Sequence, residues 1–160
     1  MNVIRILEYA LEREHEGKRF FEENASRLQN AAAAGAFKAV AAEEQKHIEF
    51  ISAQIAALNS DAKAEYPELP PGGFFAERAR SENIETSVSE AMVADLPALR
   101  MAYLIERDFA EFYARMAGKA EGEAKRLLEM LAQWEAGHER LFKRLHDEAF
   151  EKYADMPWGG

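Results

Sequence analysis

Two short stretches of the chain, EEQKH and WEAGH, each set a glutamate three residues before a histidine: Glu44 with His47, and Glu135 with His138. On an α-helix three residues advance about 300°, so each pair returns to nearly the same side and can aim a carboxylate and an imidazole at one point. One such pair is weak evidence in a chain with 24 glutamates, and Glu12 with His15 repeats the spacing one position off the apolar seam. The repetition carries more weight. Glu14 to Glu106 is 92 residues, while Glu44 to Glu135 and His47 to His138 are each 91. Phe20-Phe21 stands opposite Phe112-Tyr113, Phe37 opposite Leu128, Val40-Ala41 opposite Leu131-Ala132, and Phe50 opposite Leu141. Duplication of a helical hairpin explains these matches and predicts a pseudo-two-fold axis, with one glutamate and one Glu-x-x-His pair from each half.

The depth of these polar residues decides what they do. Extending the apolar series of each segment puts Glu14 between Leu11 and Phe21, Glu106 between Ala102 and Phe109, Glu44 with His47 between Val40 and Ile51, and Glu135 with His138 between Leu131 and Phe142. All six face the core, where isolated charge is costly. For Glu14 and Glu106 the plain alternative is a salt bridge to Lys18 or Arg107, but the repeated set points to metal ligands. Four carboxylates and two neutral imidazoles balance two divalent ions. Imidazole favours iron, manganese, cobalt or zinc over magnesium or calcium, and carboxylates can bridge neighbouring ions. Iron is the preferred pair, because two irons cycle two electrons, with manganese, zinc or cobalt as substitutes. Tyr113, seven residues after Glu106, has a hydroxyl able to contact a ligand carboxylate, whereas its counterpart Phe21 has none. Trp134 reads as a packing residue, and His15 and His146 as surface histidines.

These side chains need four long helices to position them. Ile4, Leu7, Leu11, Phe21, Ala25 and Leu28 mark one face of a helix over residues 3–28, and a second runs from about Ala33 to Leu58. The link near Gln29 to Ala32 makes the two antiparallel neighbours. YPELPPGG interrupts the pattern within 61–94. Asp95 offers an N-cap and Pro97 suits the first turn of a third helix, which Gly118 stops; a fourth starts near Glu121 to Glu123 and ends before DMPWGG. The expectation is one domain over 1–160: an all-α antiparallel four-helix bundle with hairpins at about 3–59 and 96–152 and a crossover at about 60–95 joining helices 2 and 3 lengthwise. A crossover this long should carry a short helix around Phe74 to Arg80 and be anchored by Tyr66, Phe74 and Phe75.

Composition sets the outer bounds. The 160 residues include 20 Lys plus Arg against 29 Asp plus Glu, a net charge of −9 that opposes nucleic acid and anionic membranes as partners. The absence of cysteine excludes a disulfide framework, a zinc–thiolate site and an iron–sulfur centre within this chain. Its start, MNVIRILEYALEREHEG, has no long apolar stretch, so neither a signal peptide nor a membrane-spanning helix is expected and a cytoplasmic location follows.

The stretches ALEREHEGKRFFEE, AAEEQKHIEF, YLIERDFAEFY and LAQWEAGHERLF resemble the two metal-binding hairpins of the rubrerythrin branch of the ferritin-like superfamily. That resemblance covers most of the chain. It implies a ferritin-like bundle, ligand roles for Glu14, Glu44, His47, Glu106, Glu135 and His138, and aromatic residues near the metals at Phe21 and Tyr113. It is compatible with a homodimer. Two features depart from the pattern: the cysteine-ligated electron-delivering domain is missing, and Phe109 stands where rubrerythrins often carry a further glutamate. Gln45 replaces the methionine that bacterioferritins use for haem.

The leading expectation is therefore a non-haem two-iron enzyme, a peroxidase or oxidase that reduces hydrogen peroxide or oxygen with electrons from a separate donor. An iron-binding protein for storage or sensing, and a two-iron oxidase of an organic substrate, are the alternatives. A shell that takes up mineral would mark the first of these, and an apolar channel ending at the metals the second.

Overall fold

The computed structural model describes residues 2–60 and 90–157. Four long helices, α1 (Val3–Ala25), α2 (Ala31–Asn59), α3 (Leu96–Ala117) and α4 (Gly122–Asp155), form the bundle, and a 3₁₀ helix at Glu90–Asp95 leads into α3. The crossover anchors Tyr66, Phe74 and Phe75 and the short helix expected at 74–80 lie outside the described residues.

The helix ends differ from the periodic pattern for local reasons. α1 stops at Ala25, three residues before the last apolar position Leu28, where a turn takes its final carbonyls: Ser26 Oγ donates to Glu23 O at 3.4 Å and Arg27 N to Asn24 O at 2.9 Å. Leu28 still packs against the core from the turn. α2 starts two residues earlier than its apolar series, since Asn30 caps it by accepting from Ala33 N at 3.0 Å. Asp95 precedes α3 but makes no side-chain cap there; its carboxylate accepts instead from Gln29 N and Asn30 N at 2.7 and 2.8 Å, tying the α1–α2 turn to the start of α3. Gly122 opens α4 at φ +59°, a backbone region that favours glycine. α4 runs on to Asp155, with Lys152 in its last turn, until Met156 turns extended ahead of Pro157.

Two apolar clusters lie one at each end of the six polar positions. The first contains Phe21, Phe37, Val40, Leu99, Phe142 and Leu145. The second contains Leu7, Ile51, Phe109, Tyr113, Leu128 and Leu131. The order in which each helix meets them gives its direction. α1 and α4 run from the second cluster to the first, α2 and α3 from the first to the second. α2 therefore ends at one end of the bundle and α3 begins at the other, and the chain between them travels its length. At about 1.5 Å per residue, the 29 residues of α2 alone span roughly 43 Å. This is the ferritin-like bundle with a lengthwise crossover. Phe21, Phe37 and Phe142 close the first cluster, with ring centroids 5.2 to 5.3 Å apart across three helices. Among the described residues no helix is long and apolar enough to cross a membrane.

Candidate metal centre

Glu14 on α1, Glu44 and His47 on α2, Glu106 on α3, and Glu135 and His138 on α4 meet between the two apolar clusters, each 2% exposed or less. Their donor atoms fall into two groups, Glu14–Glu44–His47–Glu135 and Glu44–Glu106–Glu135–His138, each with its ligating atoms within 4.8 Å of one another. Glu44 and Glu135 belong to both. Exchanging each residue for its repeat partner, Glu14 for Glu106, Glu44 for Glu135 and His47 for His138, turns one group into the other. The duplication seen in the sequence is thus the symmetry of the site.

The shared carboxylates divide their oxygens between the imidazoles. Glu44 Oε2 lies 3.6 Å from His47 Nδ1 and its Oε1 3.3 Å from His138 Nδ1. Glu135 does the same, with Oε1 2.9 Å from His47 Nδ1 and Oε2 3.4 Å from His138 Nδ1. Glu14 Oε2 is 3.2 Å from His47 Nδ1, and Glu106 Oε2 is 3.5 Å from His138 Nδ1. Both histidines present Nδ1 to the cluster. Despite these approaches, both oxygens of Glu44, Glu106 and Glu135 are buried without a hydrogen-bond partner. Six orphaned acceptors in an apolar bundle are costly unless cations satisfy them. The donor set, nitrogen plus hard oxygen in two overlapping groups, fits a pair of divalent transition-metal ions.

The electrostatics fit the same occupant. Burial, then the charge of Glu44, raises Glu14 to about 7. Burial and Glu44 likewise push Glu106 well above the usual carboxylate range. Burial opposes the charged form of His47, yet Glu135 and Glu14 outweigh it and lift the imidazole well above its ordinary value; Glu106 heads the same balance at His138. Burial, with repulsion from Glu135 at Glu44 and from Glu14 at Glu135, acts against charge on the two shared carboxylates, but His47 and His138 beside both, and Glu14 beside Glu44, hold them below the ordinary value. Without metal the cluster balances its charge with protons on Glu14, Glu106 and the imidazoles. Divalent ions bound there would replace those protons.

The surroundings are not symmetric. The Tyr113 hydroxyl donates to Glu14 Oε1, across from its own helix. Phe21, its counterpart, is fully buried and stacks at 12° on Phe142. Trp134 packs in the second apolar cluster as expected, and its packing reaches the cluster of polar residues: its indole stacks on the His47 ring at 4.8 Å and 20°, and Phe50 meets it edge-on at 5.5 Å. Its spacing of three from Leu131 puts it on the core face, and its position directly before Glu135 is the signal the sequence offers. Its repeat counterpart, Glu43, is fully buried, with Oε1 3.2 Å from Lys46 Nζ. Lys18 and Arg107, the alternative partners for Glu14 and Glu106, pair with Glu22 and Glu139. His15 is exposed as expected, but His146 is half-buried, its ring centroid 5.3 Å from that of Tyr103.

Comparison with curated proteins and with solved structures gives no match. Comparison with protein families matches Rubrerythrin over residues 5–146, a span that includes all four helices at the cluster. The chain belongs to the rubrerythrin family.

Proposed function

We propose that this chain is a two-iron oxidoreductase of the cytoplasm that reduces hydrogen peroxide or dioxygen with electrons from a separate donor. The observation that carries this reading is the sharing of Glu44 and Glu135 between two otherwise separate donor groups. Two irons held there would supply Lewis acidity toward oxygen and two electrons, enough to cleave the oxygen–oxygen bond of hydrogen peroxide or to take dioxygen to the peroxide level. The protein's part is to hold, orient and shield. Glu44 and Glu135 each offer one oxygen to either group, which keeps the two positions close, while Glu14 with His47 and Glu106 with His138 cap the ends. Tyr113 restrains the Glu14 carboxylate through its hydroxyl, and Trp134 limits rotation of the His47 ring. The apolar clusters above and below exclude bulk water, which strengthens every charge interaction between them. With no cysteine in the sequence, no cysteine-ligated iron within it can return the electrons, so this reading calls for a separate donor.

Anaerobic titration with ferrous iron tests this reading. Uptake should saturate at two irons per chain, one for each donor group. One peroxide addition should then oxidise both irons, and an external reductant should restore the ferrous spectrum through repeated cycles. Saturation at one iron or none overturns the proposal. Continued uptake into a mineral would favour storage.

A further inference from the structure

A cleft of about 230 Å³ opens between α1 and α3, with Arg13, Asp108, Glu111 and Arg115 around it and the rings of Phe109 and Tyr113 in its wall. Both residues are buried, at 4% and 1% exposed. Each also reaches toward the cluster. The Tyr113 hydroxyl donates to Glu14. A Cβ built on Gly17 would stand 3.0 Å from Phe109 Cε2 and 4.0 Å from Glu44 Oε2, so the ring edge lies within about 7 Å, the sum of the two, of a shared carboxylate oxygen. Phe109 and Tyr113 thus line the cleft and also stand beside residues of the cluster.

Phe109 is seated by two contacts. The Arg13 guanidinium lies 5.7 Å from its centroid, itself held by Glu16 at 2.8 Å. At the ring edge, the side chain that Gly17 lacks leaves the room the ring occupies. Gly17 and Phe109 are 92 residues apart, the same separation as Glu14 and Glu106, so the repeat sets a large residue against its own small counterpart. The ring is held by apolar packing and the Arg13 guanidinium, with no hydrogen bond to break when it moves.

We infer that Phe109 sets the size limit on molecules that reach the cluster through the α1/α3 cleft, admitting an oxidant of two to four atoms and excluding substrates with an aromatic or branched carbon frame. This rests on the metal reading above and adds substrate class to it. Removal of a buried ring leaves an apolar hole of the size that binds benzene. Phe109→Ala should therefore join the cleft to the cluster and accept a ligand that carries its own ring.

The test uses the cobalt-loaded full chain, with azide as the small probe and benzohydroxamate as the ring-bearing one, read from the visible cobalt bands. Azide should perturb those bands in wild type, Phe109→Leu and Phe109→Ala. Benzohydroxamate should bind Phe109→Ala roughly 10-fold or more tightly than wild type, with Phe109→Leu between them, the scale expected when a shape block in an apolar pocket is removed. Equal benzohydroxamate affinity in all three proteins, with azide binding intact, overturns the inference. If Phe109→Ala does not keep the wild-type helical circular dichroism, Phe109→Leu decides by the same criterion. A wild-type chain with no cobalt bands overturns the metal reading itself, and this inference with it.

Discussion

Replacing Tyr113 with phenylalanine isolates one hydroxyl. The ring is retained, so its contacts in the second apolar cluster survive, and only the donation to Glu14 Oε1 is lost. Both partners are buried, so no water is at hand to replace the donor. With metal bound, Glu14 is a carboxylate, and losing a hydrogen bond to a charged group costs about 1.5–3 kcal/mol. For a domain of this size that is a fall in Tm of roughly 3–12 °C. In metal-free protein the cost depends on pH, because burial and Glu44 put Glu14 at about 7. At pH 5.5 Glu14 is protonated and the bond joins neutral groups, worth about 0.5–1.5 kcal/mol; at pH 8 the charged value applies. The assay is differential scanning calorimetry of wild type and Tyr113→Phe, metal-free at both pH values and iron-loaded at pH 8, with iron content measured alongside. Iron should remain at two per chain, one for each donor group, while peroxide-driven oxidation slows by about 10-fold, the lower end of what contacts to a ligand commonly contribute. Identical Tm and identical oxidation rates at pH 8 refute the reasoning.

Three further outcomes follow from the same geometry. Glu14, Glu106, His47 and His138 are all raised in the folded, metal-free chain, so the stability they contribute is fully present below their unfolded values, near 4.5 and 6.5, and is lost as pH rises through the folded ones. Glu44 and Glu135 are lowered, and their contribution is lost instead as pH falls below 4.5. Metal-free protein should thus unfold at lower temperature at pH 8 than at pH 5.5, with the gain on adding metal larger at pH 8; a chelated sample more stable at pH 8 contradicts this. Trp134 stacks on His47, so in a Trp158→Phe background iron or cobalt should quench tryptophan emission at the same stoichiometry as uptake, and an unchanged spectrum at saturation argues against ligation by His47. A methyl on Gly17 meets Phe109 Cε2 at 3.0 Å, so Gly17→Ala should cost more in wild type than in a Phe109→Ala background, by a coupling of about 0.5–3 kcal/mol in denaturant unfolding; additive costs would show that the ring shifts freely.

The cluster was legible in the sequence because a charged residue on an apolar face breaks a pattern, and because the break recurs at nearly constant spacing. Glu14, Glu44, His47, Glu106, Glu135 and His138 were each one step of a 3–4 series, and helix direction follows from which apolar residues precede and follow them. What escaped lay off that series or across helices. Trp134 was visible as a core residue, but its stack on His47 joins α4 to α2 and has no signature along either stretch of sequence. Asp95 showed an N-cap residue in the right place, yet two backbone N–H groups of a distant turn compete for the same carboxylate and win. Gly17 has no signature along its own stretch of sequence, because the Phe109 ring that fills the space beside it comes from another helix. The end of α1 falls three residues short of its apolar spacing, which continues into the turn, where Leu28 packs without being helical.

The central claim is that two donor groups, joined by Glu44 and Glu135, hold two metal ions. Anomalous diffraction at the iron edge from anaerobically loaded crystals tests it most directly. Two peaks should appear roughly 3.5–4 Å apart, one beside Glu14 and His47 and the other beside Glu106 and His138, with Glu44 and Glu135 reaching both. A single peak, or peaks bound only by surface carboxylates while these six residues bond to one another, would contradict it.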